Sequence, residues 1–332
     1  MKKLLLLLFF PVYLFGQDVH LSQFYTNQQN LNPALTGNYE GLYRVSSNYR
    51  NQWRQIGGTP IVTSIITFDH KFYFNSDVIT GGILVSNDQF SDFGLQTTKI
   101  QAGASYQKKL RGHDLKGGVQ VGYVMKQTDA AIQSYPSQWV YEQGDFNTSV
   151  LSGENNLNEI ANYLTTNIGF AWSKRFARYT PTAGFAIYQF NAPNNSFFDD
   201  NNSTLKSLKV FHAEVLKLIN STYSIEPKLA YLYSSKAQNL VFGGNVYKKL
   251  NNKTILQVQA GVLYRDGFGR NSDAIIPVIG LQYKNFDFGL SYDYNVGQLS
   301  EFSYGKGTYE LSLVYTLPAF LPEKLTLPCE RY

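Results

Sequence analysis

In the stretch Leu115-Lys116-Gly117-Gly118-Val119-Gln120-Val121-Gly122-Tyr123-Val124-Met125-Lys126, Leu115, Val119, Val121, Tyr123 and Met125 fall on one parity, and Lys116, Gly118, Gln120, Gly122 and Lys126 fall on the other. Successive side chains of a β-strand point to opposite faces, so the segment carries an apolar face and a polar face along its length. The alternation recurs in Phe286, Phe288, Leu290, Tyr292 and Tyr294 against Asp287, Gly289, Ser291, Asp293 and Asn295. It recurs again in Tyr309, Leu311, Leu313 and Tyr315 against Glu310, Ser312 and Thr316. Strands with lipid on one face and a polar lumen on the other are the units of a transmembrane antiparallel β-barrel.

Extending the period along the chain gives strands near 41–51, 59–70, 78–87, 95–109, 114–126, 162–176, 179–190, 208–219, 223–234, 239–248, 254–265, 273–284, 286–295 and 307–317. These number about fourteen, and bacterial single-chain barrels have even counts. Ten residues at about 3.3 Å each, tilted about 45°, span roughly 23 Å, the height of an outer-membrane apolar band. Short connections at Arg111-Gly112-His113, Asn220-Ser221-Thr222 and Lys284-Asn285 alternate with long ones, Gln127 to Ala161 and Asn191 to Ser207. That order is expected of periplasmic turns and external loops. The connection from Phe72 to Asp77 stands out as longer than a tight turn.

Aromatic residues make up 15% of the chain, with 25 tyrosines and 23 phenylalanines, while mean hydropathy is −0.25. After Phe15 no run of about twenty apolar residues occurs, which excludes a membrane helix and leaves a barrel wall as the spanning structure. No Pro/Ser-rich linker interrupts the pattern, so the fold class is all-β with one barrel over 41–317. An irregular segment, 17–40, precedes it as a candidate plug, and a short tail, 318–332, is expected in the periplasm.

Lys2 and Lys3, the apolar run Leu4 to Phe15 and the small Gly16 before Gln17 read as a cleaved Sec signal over 1–16. Integral insertion in the outer membrane is therefore the expected location, with outer-membrane lipid around the wall. Net charge is +5, or +3 without the two leader lysines, and it is spread along the chain, which argues against nucleic acid as a partner. The single cysteine, Cys329, allows no intramolecular disulfide.

Motifs for catalysis are missing. His20, His70, His113 and His212 are far apart, with no His-Glu-x-x-His pattern, no Gly-x-Ser-x-Gly elbow and no phosphate loop, so no metal, no cofactor and no enzyme activity is expected. His212 with Glu214 on one parity is the only loose candidate for a lumenal hydrolase, and a polar lumen pair is the preferred reading. Glycine pairs at Gly81-Gly82, Gly117-Gly118 and Gly243-Gly244 read as points of barrel curvature. A sharper reading has Gly81-Gly82 kinking its strand to open the wall sideways.

Two blocks are not explained by strand periodicity. One is Gln17-Asp18-Val19-His20-Leu21-Ser22-Gln23-Phe24-Tyr25 with Asn27 and Leu31-Asn32-Pro33-Ala34; the other is Asn48-Tyr49-Arg50-Asn51-Gln52-Trp53. Together they resemble the opening of the PorP/SprF family, outer-membrane proteins associated with the type IX secretion system and gliding motility. The resemblance continues through Ala183-Gly184, Asn191-Ala192-Pro193, Gly261-Val262-Leu263-Tyr264-Arg265, Gly289-Leu290-Ser291-Tyr292-Asp293-Tyr294 and Tyr309-Glu310-Leu311-Ser312-Leu313. It departs from the family at Tyr188, where a histidine is common, and in the shorter tail around Cys329. It implies a non-enzymatic accessory that binds and anchors, or helps export, a large adhesin-like protein through its type-B carboxyl-terminal signal domain. Periplasmic type IX secretion components are the other partners it implies.

On the strand's parity Arg44, Ser46, Asn48 and Arg50 face the lumen, and Tyr43, Val45 and Tyr49 face lipid. With Asn51, Gln52 and Trp53 they are candidates to hold Gln17–Gly37, including Ser22, Gln23, Phe24, Tyr25, Asn32 and Pro33, as a plug or to contact a client. A purely internal polar network is the alternative, and Trp53 also suits an aromatic girdle. Tyr135, Trp139, Val140, Tyr141 and Phe146 in the long loop are candidates for a client surface, or for a lid folded over the barrel mouth. A competing function is an outer-membrane channel or hydrophobic-substrate transporter, because a polar lumen reads alike open or plugged.

Overall fold

A computed structural model describes residues 21–52, 60–74, 77–90, 94–129, 134–147, 149–151, 153, 158–198, 203–235, 237–268, 273–297, 300 and 307–318. Its strands are β1 (Tyr43–Gln52), β2 (Ile61–Phe74), β3 (Asp77–Phe90), β4 (Leu95–Leu110), β5 (His113–Gln127), β6 (Trp139–Val140), β7 (Asp145–Phe146), β8 (Ile160–Lys174) and β9 (Tyr179–Tyr188). They continue as β10 (Leu208–Leu218), β11 (Tyr223–Ser234), β12 (Ala237–Lys249), β13 (Ile255–Asp266), β14 (Ala274–Tyr283), β15 (Phe286–Asn295) and β16 (Thr308–Leu317).

All of these except β6 and β7 form one closed antiparallel barrel of fourteen strands, each paired with its chain neighbours. β1 closes on β16 in unbroken register from Tyr43↔Leu317 to Gln52↔Thr308. Closure leaves no sheet edge, which a wall standing in hydrocarbon requires, since no water there can satisfy an unpaired backbone group. Alternate residues of β1 are buried, and Arg44, Ser46, Asn48 and Arg50 face inward as the parity predicts.

Two expectations are corrected by the ladder. The connection after β2 is short: Phe72, Tyr73 and Phe74 still pair with Ile79, Val78 and Asp77, leaving two residues between the strands. Their exposed rings belong at a membrane interface, which is why the aromatic run extends the strand instead of ending it. Nor does Gly81-Gly82 open the wall. His70↔Gly81 and Asp69↔Gly82 on one side, and Gly81↔Ala104 and Gly82↔Gly103 on the other, continue without a break.

The lumen is also less polar than the alternation suggests. Val210, Val241, Leu263, Ile276 and Val278 point inward and form one buried cluster with Phe24, Leu31, Ala34 and Leu35 of the segment before β1. That segment occupies the barrel interior, so the inner face is a protein core and not the wall of a water-filled pore. With short turns taken as periplasmic, β1 starts at the periplasmic end, and the connections 128–159 and 189–207 lie outside.

Candidate functional site: the lumen plug

The plug has its own local folding code. Asn27 accepts from the Asn30 N–H at 3.3 Å and caps the one-turn helix α1 (Gln28–Leu31). Asn32 then accepts from the Ala34 N–H at 2.9 Å and caps a 3₁₀ turn, Pro33–Leu35, whose proline is pre-set for a first helical position. Side chains that satisfy their own backbone let such a short, irregular piece hold its shape inside a barrel.

The outer end of the plug is fixed by a buried charge cluster. The Ser22 hydroxyl donates to Asp293 at 2.7 Å and accepts from Arg265 Nη2 at 2.6 Å and from Arg50 Nη1, so its hydrogen-bonding capacity is filled. The consecutive N–H groups of Ser22 and Gln23 both donate to Glu310, at 2.7 and 3.0 Å. Arg50 lies 3.0 Å from Asp293 and 3.2 Å from Glu310, and Arg265 lies 2.7 Å from Asp293. Two guanidinium groups and two carboxylates balance, which makes burial of all four tolerable. The Gln23 side chain completes the hook, donating to the Glu310 carbonyl at 3.0 Å and accepting from Ser312 at 2.9 Å.

A second anchor sits at the other end. Asp69 accepts from Arg44 Nε and Nη2 at 3.2 and 2.9 Å, and from the Gly37 N–H at 2.8 Å. Arg44 Nη1 also reaches Gln28 at 2.8 Å. Between the anchors, Asn48 donates to Thr26 at 2.8 Å, Tyr188 donates to the Asn30 carbonyl at 3.0 Å, and Lys228 lies 3.5 Å from the Tyr25 ring centroid. Asn32 Nδ2 donates to the Phe170 carbonyl at 3.1 Å and meets His212 Nε2 at 3.0 Å, so the histidine of the hydrolase reading contacts the plug.

The glycines are explained by the same packing. A Cβ on Gly82 would come 2.8 Å from Gln29 Oε1, and one on Gly118 would overlap the Pro33 carbonyl, whereas one on Gly117 would meet nothing within 4 Å. The inward member of each of these pairs clears space for the plug, which corrects the curvature reading there. Gly243 keeps a backbone role, with φ +152° against the neighbouring strand.

Of the residues singled out in the sequence, Ser22, Gln23, Phe24, Tyr25, Asn32, Pro33, Arg44, Asn48 and Arg50 are thus brought together in the lumen. Asn51 is not among them: its amide lies 3.4 Å from the Tyr49 hydroxyl. Gln52 is half-buried at the end of β1, and Trp53 lies outside the described residues. Tyr135, Trp139, Tyr141 and Phe146 stand apart on the external loop. There β6 and β7 form a small hairpin with the Trp139 and Phe146 rings 4.9 Å apart. Tyr141 at its turn is 91% exposed. Asp69, Arg265, Asp293 and Glu310 were missed, although charge on a lumen parity was a signal for each.

Replacing Ser22 by alanine should cost about 1–3 kcal/mol by leaving buried charged groups short of partners. Thermal unfolding of the purified protein in detergent checks it, and an unchanged midpoint would contradict the latch.

A family model described as type IX secretion system membrane protein PorP/SprF matches residues 14–315, nearly the whole chain. The chain belongs to the PorP/SprF family. As a family member with a closed fourteen-strand barrel it is an outer-membrane component of type IX secretion, and its partners and substrates are in general those of that system. No curated protein matches it. Among solved structures, this PorP/SprF barrel is similar to the monoaromatic hydrocarbon channel CymD, at 9% identity and TM-score 0.53, covering 89% of this chain and 93% of that one. It is similar also to the toluene transporter TbuX of Ralstonia pickettii, at 10% identity and TM-score 0.50, covering 87% and 92%. At such identities the likeness is one of fold.

Proposed function

We propose that this family member is a plugged mount: exported through the Sec pathway, it binds a large secreted adhesin-like protein by that protein's type-B carboxyl-terminal domain and holds it at the cell surface. The observation that carries the reading is the plug, held at both ends by buried carboxylate and guanidinium pairs. A lumen filled in this way leaves the external loops as the surface for a partner, and the periplasmic turns for the secretion machinery. Recognition is non-covalent and asks no chemistry of the barrel. Deleting the gene should leave the client inside the cell or released to the medium, and unchanged surface display would remove the proposal.

The exposed hairpin is the proposed docking point. Changing Trp139 or Tyr141 to alanine should weaken client binding by about 2 kcal/mol each, roughly thirtyfold, as expected of aromatic hot spots. Surface substitutions of this kind should move barrel stability by no more than about 0.5 kcal/mol. Equal affinity in both variants would direct attention to another loop.

A second reading, a transporter of hydrophobic substrates, is favoured by an apolar cavity on the external side of the plug and by the fold shared with two hydrocarbon channels or transporters. Single-channel recording separates them. The mount should be nearly silent, and steady large currents would favour a pore.

A further inference from the structure

The outer face of the barrel carries a row of lysines at its periplasmic end. Lys108 on β4 shares its parity with the exposed Ile100 and Tyr106, Lys174 on β8 with Leu164 and Phe170, Lys217 on β10 with Phe211, and Lys248 on β12 with Phe242 and Val246. Each of these side chains therefore leaves the wall on the lipid side. Lys284, in the turn after β14, leans the same way, with its ammonium 5.7 Å from the ring centroid of the exposed Tyr283. The five belong to five consecutive periplasmic hairpins, β4–β5, β8–β9, β10–β11, β12–β13 and β14–β15. The remaining hairpin, β2–β3, has Phe72, Tyr73, Phe74 and Asp77 in the corresponding place.

The depth of the row is marked by aromatic rings. Lys174 lies 5.3 Å from the Phe176 centroid and Lys248 lies 5.7 Å from that of Tyr223, and both rings are exposed on the outer surface. Exposed rings at strand ends form the girdle where hydrocarbon meets headgroups, so the ammonium groups stand at the headgroup level. Lys108 is paired with Asp77 at 3.7 Å, and Lys174 also meets His113 Nε2 at 3.0 Å. Among the described residues, no carboxylate lies within ion-pair distance of Lys174, Lys217, Lys248 or Lys284. Snorkelling would explain such lysines equally at either interface. Yet at the external end Lys209 is the one outward lysine or arginine on a described strand, and the connection 128–159 has Asp129, Glu142, Asp145 and Glu159 with no cation.

We propose that this arc binds the headgroups of anionic phospholipids in the periplasmic leaflet of the outer membrane. Neighbouring lysines are two strands apart, about 10 Å, so each meets its own lipid, and an ammonium against a phosphate is a charge-assisted contact. An acidic protein approaching from the periplasm would meet the turns first, where Arg175, Arg178 and Lys253 are exposed. The outward row instead borders the apolar wall, which suits a ligand with a charged head and an acyl tail. The inference depends neither on the plug nor on the identity of any client.

Spin-labelled lipids test it. The full-length barrel is reconstituted in phosphatidylcholine vesicles containing a trace of spin-labelled phosphatidylglycerol or, separately, spin-labelled phosphatidylcholine, and the motionally restricted fraction of each gives its relative association constant. The parent should prefer phosphatidylglycerol about fivefold at low salt, the gain of one lysine per bound lipid, and the preference should fade as salt screens the row. A variant with Lys174, Lys217, Lys248 and Lys284 all changed to glutamine should lose it. A second variant removes four charges from the same end but from the turns or the inward parity, with Arg175, Arg178, Lys249 and Lys253 changed to glutamine; it should keep the preference. Equal association of the two lipids with the parent would overturn the proposal and leave the row to an acidic periplasmic protein. Equal losses in the two variants would overturn it as well, by reducing the effect to net charge. Glycerol phosphate without acyl chains should leave the restricted fraction unchanged, and displacement by it would assign the row to a free anion instead.

Discussion

Replacing Arg50 by alanine is expected to free the outer end of the plug at a cost of about 3–5 kcal/mol, the penalty for breaking one partner out of a buried ionic cluster. Glu310 would lose the only cation it pairs with among the described residues, and Asp293 would keep Arg265 alone. Both carboxylates face the interior with almost no exposure, so water does not screen the loss. Arg50→Lys should recover only part of the stability, because an ammonium cannot present the guanidinium fork to two carboxylates and a hydroxyl at once. The measurements are thermal unfolding in detergent and single-channel recording, where the alanine variant should conduct in bursts. A variant as stable and as silent as the parent would show that the cluster is not what holds the plug.

A leucine at Gly118 should expel the plug by steric means, with the charges untouched. The atoms a Cβ would meet there are the Pro33 carbonyl and the Ala34 nitrogen, and backbone in a capped turn cannot swing aside as a side chain can. The ladder through Gly118 is regular on both sides, with Ser105 and Gly169 as partners, so the wall should still close. Expected are a folded barrel with steady conductance and cleavage by added protease within 21–37. Gly117→Ala, one residue away on the outer face with open space around it, should be neutral within about 0.5 kcal/mol. Retention of a protease-resistant plug in the Gly118 variant would contradict the packing described.

The wall was legible because period two is a property of each strand alone. Leu115–Met125 declares its two faces whatever stands beside it. The latch was not legible in that way. Arg50 and Glu310 are direct register partners across the seam between β1 and β16, a pairing that exists only once the first strand meets the last. Glu310 was read as a polar lumen residue and Arg50 as a candidate plug contact, but nothing local says that they meet or that Ser22 lies between them. The inward Val210, Val241 and Ile276 escaped for a related reason: an apolar residue on the lumen face looks like noise in the alternation until Phe24 and Leu31 are seated against it. Gly118 likewise looked like strand curvature because the backbone it accommodates is some eighty residues earlier in the chain.

On the proposed reading, a lumen closed by the chain's own segment leaves partner binding to the external loops and periplasmic turns, and this is where a surface mount and an open transporter diverge. The direct test is an affinity pull-down of the tagged protein from native outer membranes, with mass spectrometry of whatever stays bound in detergent. The mount predicts one large secreted protein, retained through its carboxyl-terminal domain and lost when the 128–159 loop is shortened. Recovery of the barrel alone, from cells that secrete such a protein, would contradict it.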